Sequence, residues 1–150
     1  MSIPVVRRPA ARVVCLTAVA ELMLLLRWRD PVGGAEFWEP PGGGLEAGEG
    51  WEAAARRELA EETGVVAGDV SGPVMVERDF LWEGERRVGP EALFLAVFDR
   101  LPSVRLEDEP ALLGFAWLEV SAIPGLDAVE PAALADVVRR LRGRPSPPSR

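Results

Sequence analysis

Three glutamates near the middle of the chain, Glu58, Glu61 and Glu62, are spaced to share one side of a helix, because positions i, i+3 and i+4 lie within about a third of the circumference. The residues around them favour that helix. Ala53, Ala54, Ala55, Arg56, Arg57, Leu59 and Ala60 are helix formers, and Gly64 tolerates the left-handed conformation that ends one. The predicted helix therefore runs from about Trp51 to Thr63. Alone, it would be strained: like charges at i,i+4 cost a few tenths of a kcal/mol, and carboxylates in a last turn oppose the helix dipole at about 0.3–1 kcal/mol each. A divalent cation reverses both signs. All-oxygen donors suit Mg²⁺, and Mn²⁺ as a second choice, since such ions are shared between carboxylates and substrate phosphates. The competing reading is a solvated charged face, as the neighbouring pair Glu52 and Arg56 looks to be.

What the chain lacks narrows the chemistry further. It contains no His, no Lys and no Tyr, which excludes a Ser-His-Asp triad, a histidine metal site and a lysine Schiff base. Carboxylates must carry any acid–base or metal work. The single Cys15 lies in an apolar run, reads as a small buried side chain, and fits a reducing, cytoplasmic setting. A formal net charge of −7 disfavours polymeric nucleic acid and anionic membranes, both of which reward a basic surface. Small phosphate compounds held through a metal remain open as partners. With 150 residues, 48% apolar and 27% charged, the chain suits one domain with a real core.

The elements that must hold the helix can be read in outline. Val13 to Thr17 and Leu22 to Trp28 read as two strands of a buried hairpin around Ala18–Glu21; Glu21 interrupts the apolar run and argues against a secretion signal. Arg27 and Arg29 leave the second strand, where they can grip phosphate oxygens or simply face water. After the loop at Asp30–Gly34 come Phe37 and Trp38, then Pro40-Pro41-Gly42-Gly43-Gly44, whose prolines and glycines force a sharp loop and let backbone approach a ligand. Beyond the helix, Val65-Val66 and Val74–Trp82 read as strands separated by a turn at Ser71-Gly72-Pro73. Glu83–Pro90 reads as a polar loop carrying Arg86 and Arg87, Ala92–Phe98 as a strand buried on both faces, and Gly114–Glu119 as another strand. Pro131 to Leu141 reads as a terminal helix with Leu134, Val137, Val138 and Leu141 inward. Residues 1–11 are expected to be loose, 12–141 to form the single domain, and the Pro-rich 142–150 to be a disordered tail. Two helices flanking a strand-rich middle predict an α/β fold, a mixed sheet between helices.

One spacing ties these elements together. Gly43, five residues, Glu49, seven residues, Arg57-Glu58-Leu59, one residue, Glu61-Glu62, one residue, then Gly64-Val65 resembles the Nudix hydrolase signature at every fixed position, and Trp38-Glu39-Pro40-Pro41-Gly42 resembles its usual lead-in. The resemblance implies a Nudix-like α/β/α sandwich and Mg²⁺-dependent cleavage of a phosphoanhydride in a nucleoside diphosphate linked to another group, such as a nucleoside triphosphate or nucleotide sugar. It makes Glu61 and Glu62 the first choices for metal ligands, with Gly43 beside them, Glu58 a ligand or base, and Arg57 the group that orients them. It also points to a further carboxylate from the acidic cluster at Leu106–Pro110, either Glu107 or Glu109, with no spacing to choose between them. Gly42, Gly43 and Gly44 with Arg27, Arg29, Trp38, Phe80 and Trp82 are the expected substrate contacts, and Phe37 could join these aromatics in stacking on a base. Similar proteins are commonly homodimers. No subfamily follows, since the proline associated with ADP-ribose is replaced at Phe80-Leu81 and the tyrosine associated with dinucleoside polyphosphates is missing. A catalytically inactive nucleotide-binding regulator with the same fold is the alternative.

Overall fold

The computed structural model describes residues 2–143. The proline-rich tail falls outside this range from residue 144 onward, and Arg142 is the last residue of a helix rather than the first of the tail. Eight strands form one mixed sheet: β1 (Val5–Arg7), β2 (Ala10–Thr17), β3 (Leu22–Arg29), β4 (Glu36–Glu39), β5 (Gly42–Gly44), β6 (Val70–Trp82), β7 (Glu85–Phe98) and β8 (Leu112–Glu119). Helix α1 (Trp51–Thr63) follows β5, and α2 (Leu134–Arg142) closes the described chain after a 3₁₀ segment at Val120–Gly125. Pairing runs β1-β7-β2-β3-β4, with β6 on β7, β5 on β2 and β8 on β3. Both β1 and β2 lie parallel to β7, and the other pairs are antiparallel.

Side-chain alternation divides the core into two layers. Val13, Cys15, Leu24, Leu26 and Phe94 pack toward Ala54, Ala55 and Leu59 of α1. Their neighbours Val14, Leu16, Met23, Leu25 and Leu93 pack toward Leu134, Val137, Val138 and Leu141 of α2. Strand segments between the two layers are buried on both faces, which is why residues 13–16, 23–26 and 92–96 show unbroken apolar runs instead of alternation. The result is a sheet sandwiched between helices, as the sequence predicts. Burying each Leu side chain contributes about 1.5–3 kcal/mol.

The region that carries the glycines arises where β2 and β3 part. They are paired at Leu16 and Met23, after which β4 joins β3 and β5 joins β2. Pro40 and Pro41 connect those two short strands, and the Pro41 carbonyl accepts a hydrogen bond from the Val13 amide at 3.0 Å. From there the chain enters α1, whose limits match the prediction; Gly64 ends it at φ 73° and donates its N–H to the Ala60 carbonyl.

Other boundaries differ, each for a local reason. Val5–Arg7, expected to be loose, is held by β7 through pairing with Arg86–Val88. Ser71-Gly72-Pro73 is a bulge inside β6 instead of a turn, since pairing with β7 resumes at Val74. Glu83–Pro90 is not a loop: Glu83 and Gly84, with φ of 52° and 78°, make a two-residue hairpin turn, and Arg86 and Arg87 stand in β7. Val65-Val66 forms no strand, and α2 begins at Leu134, three residues after Pro131. The β2–β3 turn lacks Gly or Asn, yet Ala20 and Glu21 take positive φ there; Thr17 Oγ1 steadies it by accepting from the Leu22 amide and donating to the Val19 carbonyl. Among the described residues, no helix is long and apolar enough to cross a membrane.

Candidate active site

A cavity of about 390 Å³ opens beside α1, lined chiefly by three kinds of side chain: the carboxylates Glu39, Glu58, Glu62, Glu83, Glu85, Glu107 and Glu109; the arginines Arg8, Arg12 and Arg87; and the aromatics Trp28, Phe37, Phe80 and Trp82. Gly42 and Gly43 form part of its wall.

The glycines are required because other groups occupy the space where a Cβ would stand. One on Gly43 would lie 2.6 Å from the Glu58 carboxyl carbon, and one on Gly42 would lie 2.4 Å from the Ala11 carbonyl oxygen. This close approach lets the Gly42 amide donate to Glu62 Oε1 at 2.7 Å. Glu62 is 5% exposed, and burial pushes its carboxyl well above the usual range, offset in part by Arg12 and by the Gly42 amide. A buried carboxylate so held lacks a counter-charge in direct contact, which a cation would supply.

Arg57 organises the outer side of the helix. Its guanidinium donates to both oxygens of Glu49 at 2.7 and 2.9 Å, to the Gly44 carbonyl at 3.0 Å, to Glu58 at 3.0 Å and to Glu61 at 3.1 Å. Thus one side chain ties the glycine loop to two of the three helix glutamates. The Arg57 hydrogen bonds, followed by the Glu46 amide, hold the Glu49 carboxyl down to about 2.

Glu107 reaches the site through backbone pairing that no sequence spacing announces. Its amide donates to the Glu62 carbonyl at 2.9 Å, and the Arg105 amide to the Thr63 carbonyl at 2.8 Å, so the acidic segment is fastened to the unsatisfied carbonyls at the end of α1. Desolvation, then the charges of Glu58, Glu61 and Glu109, raise the Glu107 carboxyl. Glu109 lines the same cavity, but its Oε1 accepts from the Ala111 amide at 3.1 Å and is engaged in its own loop.

Several expected contacts stand elsewhere. Arg27, Arg29 and Trp38 do not line the cavity, because the pleat that turns Trp28 and Phe37 into it turns their neighbours away. Trp38 packs in the α2-side core and lies under the Arg27 guanidinium, 5.1 Å from its ring centre. Gly44 and Glu61 also lie outside the lining, although Arg57 ties both to it; Glu61 is half exposed. Phe80 and Trp82 do line it. Trp82 meets Trp28 and Phe37 edge-to-face at 6.0 and 5.7 Å between ring centres. Asp30 secures this aromatic end by accepting from the amides of Val32 and, across the cavity rim, Glu83. The Trp28 indole N–H is buried with no partner among the described residues.

Sequence reasoning missed the charged layer beneath the site. Arg12 donates to Glu91 at 2.7 Å and to the Pro40 carbonyl at 3.1 Å, and pairs with Glu39 at 3.2 Å. Arg78 joins Glu91 at 2.9 Å, and all four side chains are nearly or fully buried. Glu91 is held low despite desolvation because it faces two arginines, whereas burial leaves Glu39 raised. These residues sit far apart in sequence, and no local spacing links Arg12, Glu39, Arg78 and Glu91.

The donor set fits a hard divalent cation: oxygen ligands only, at least one of them a buried carboxylate in need of positive charge. Among the described residues, no three acidic, His or Cys side chains are already gathered around such an ion. Arg57 and the Gly42 amide hold the oxygens that would converge.

A family model of the NUDIX domain matches residues 6–141. The chain belongs to the NUDIX family. An RNA pyrophosphohydrolase from Erythrobacter litoralis is 35% identical over 103 residues, covering 59% of this NUDIX chain and 63% of that protein, so the match spans just under two thirds of the relative. Among solved structures, the MutT protein of Methanosarcina mazei is 23% identical with a TM-score of 0.66, covering 95% of this chain and 96% of that one. The NUDIX domain of Shewanella oneidensis NrtR, complexed with ADP ribose, is 18% identical with a TM-score of 0.70, covering 90% and 88%. At these identities the structural likenesses establish the NUDIX fold.

Proposed function

We propose that the protein is a Mg²⁺-dependent pyrophosphohydrolase that cleaves a phosphoanhydride in a nucleoside diphosphate linked to another group. The observation that carries this reading is the buried Glu62 carboxylate at the Gly42 amide, with Glu58 over Gly43 in the same cavity. Glu58, Glu61 and Glu62 would hold the ion, with the Gly43 backbone beside them. When bound, it would neutralise phosphate charge and lower the pKa of the attacking water. Arg57 keeps Glu58 and Glu61 pointing to one place. Glu107, raised and without a side-chain hydrogen bond among the described residues, is the better placed of the two loop carboxylates to take a proton from water. The aromatic end formed by Trp28, Phe37, Phe80 and Trp82 accepts the flat part of the substrate.

The name of the Erythrobacter relative supports an RNA substrate as a second reading, against which the net charge of −7 counts. Incubation with Mg²⁺ and a panel of nucleoside triphosphates, nucleotide sugars and 5′-triphosphorylated oligoribonucleotides, following release of phosphate, pyrophosphate or nucleoside monophosphate, decides between them. Binding without turnover of any compound would mean a nucleotide-binding regulator instead.

A further inference from the structure

Two of the cavity's arginines are used by nothing described so far. Arg8 stands between β1 and β2, its amide donating to the Val88 carbonyl at 2.8 Å. Its guanidinium lies across Gly44: a Cβ there would be 2.5 Å from Nε and 3.1 Å from one terminal nitrogen. Among the described residues it has no hydrogen bond from its side chain and no carboxylate within ion-pair distance, although it lines a cavity with seven of them. Arg87 lines the same wall from β7, pointing inward where Arg86 points out to its pair with Asp79. It holds only Glu85, two residues away, at 3.3 Å. Arg87 and Arg12 are the like charges that act most strongly on Arg8. Arg12 is saturated by Glu39 and Glu91.

Among the described residues Glu85 on Arg87 is the one carboxylate in ion-pair contact with these two guanidinia, which repel each other, and an anion between them removes that repulsion. We infer that Arg8 and Arg87 form an anion seat for the substrate's second phosphoryl group, the one not drawn to the glutamates of α1. The helix side of the cavity carries Glu58, Glu62 and Gly43, and the β1–β7 side carries Arg8 and Arg87 together with Glu85. A chain of two or more phosphates can span both, whereas a monophosphate engages one. The identity of the anion as a substrate phosphate rests on the proposed function; the seat itself does not.

The test therefore measures binding and turnover separately. In chelator, the metal-free full chain should bind ADP about tenfold or more tightly than AMP, and bind inorganic pyrophosphate as well. Arg8→Gln and Arg87→Gln should each weaken ADP and pyrophosphate by about tenfold and erase the preference over AMP, while Arg8→Lys and Arg87→Lys recover part of it. With Mg²⁺ and a hydrolysed substrate, the Gln variants should raise KM more than they lower kcat. Unchanged ADP and pyrophosphate affinity in both folded Gln variants would overturn the seat, as would equal wild-type affinity for ADP and AMP. Absence of turnover in wild type, with the arginine dependence of binding intact, would instead overturn the hydrolase reading alone.

Discussion

The molecule contains two arginine centres that differ in almost everything except composition. Arg57 sits on the outer side of α1, about a fifth exposed, and gathers carboxylates from the glycine loop and the helix within a span of 16 residues, Glu46 to Glu61. Arg12 and Arg78 sit inside the sheet, about 5% exposed, and share Glu91, with Glu39 and Glu130 at the edges. In the first, carboxylates outnumber the cation and solvent screens the excess, so the arrangement can exchange partners when a metal or phosphate arrives. In the second, desolvation makes every partner necessary. A buried pair adds little net stability compared with apolar packing, but removing one member leaves the others charged and unsatisfied. One centre ties the glycine loop to Glu58 and Glu61; the other holds in place the wall on which Gly42 and Pro40 rest.

That contrast can be broken by substitution, beginning where the effect is greatest. Glu91→Ala strands Arg12 and Arg78, and urea denaturation should show a loss of about 3–5 kcal/mol. Glu62→Gln should leave the urea midpoint unchanged or raised, since it removes a buried charge, while Mg²⁺-dependent turnover falls about 100-fold or more. Full turnover by this variant would dismiss Glu62 as a ligand. Arg57→Lys keeps the charge and loses the fork that serves Glu49, Gly44, Glu58 and Glu61 together; steady-state assays should show about a 10- to 100-fold loss, with little change in melting.

A pH series tests the Arg57 centre. Glu49 is held down to about 2 from an ordinary 4.5, so its contribution to stability is present above 4.5 and is lost as pH falls toward 2. Glu49→Gln should therefore flatten the acid limb of a melting-temperature profile between those values. An unchanged limb would mean that the Arg57 contact does not persist in solution. The smallest effect is expected from Arg27→Gln and Arg29→Gln, which should leave KM within about twofold, because neither side chain lines the cavity.

Helix α1 was legible because each of its signals is local: helix-forming residues, a glycine at the end, and three glutamates at i, i+3 and i+4. The two-faced burial of β7 was legible as the unbroken apolar run from Ala92. The turn at Glu83-Gly84 was not, because a polar stretch with two glycines reads as a loop until the partner strand is known. That Arg27, Arg29 and Trp38 lie outside the cavity lining was not legible for a related reason: alternation says that neighbours face opposite ways but not which face holds the cavity. Trp28 and Arg12 were overlooked as site residues because each lies in a run that otherwise belongs to the core.

By itself, the sequence determined the composition of the proposed metal site: with no His and no Lys, carboxylates spaced along one helix were the available donors, and the glycines before them had to admit something close. Tertiary structure decided which carboxylates are buried, which loop glutamate joins them and which arginines face the cavity. Those outcomes depend on pairing between segments as distant as Arg12 and Glu91, or Glu62 and Glu107, and on the depth of each charge below the surface. Local spacing carries no record of either, because desolvation and Coulomb attraction depend on distances in space and not along the chain.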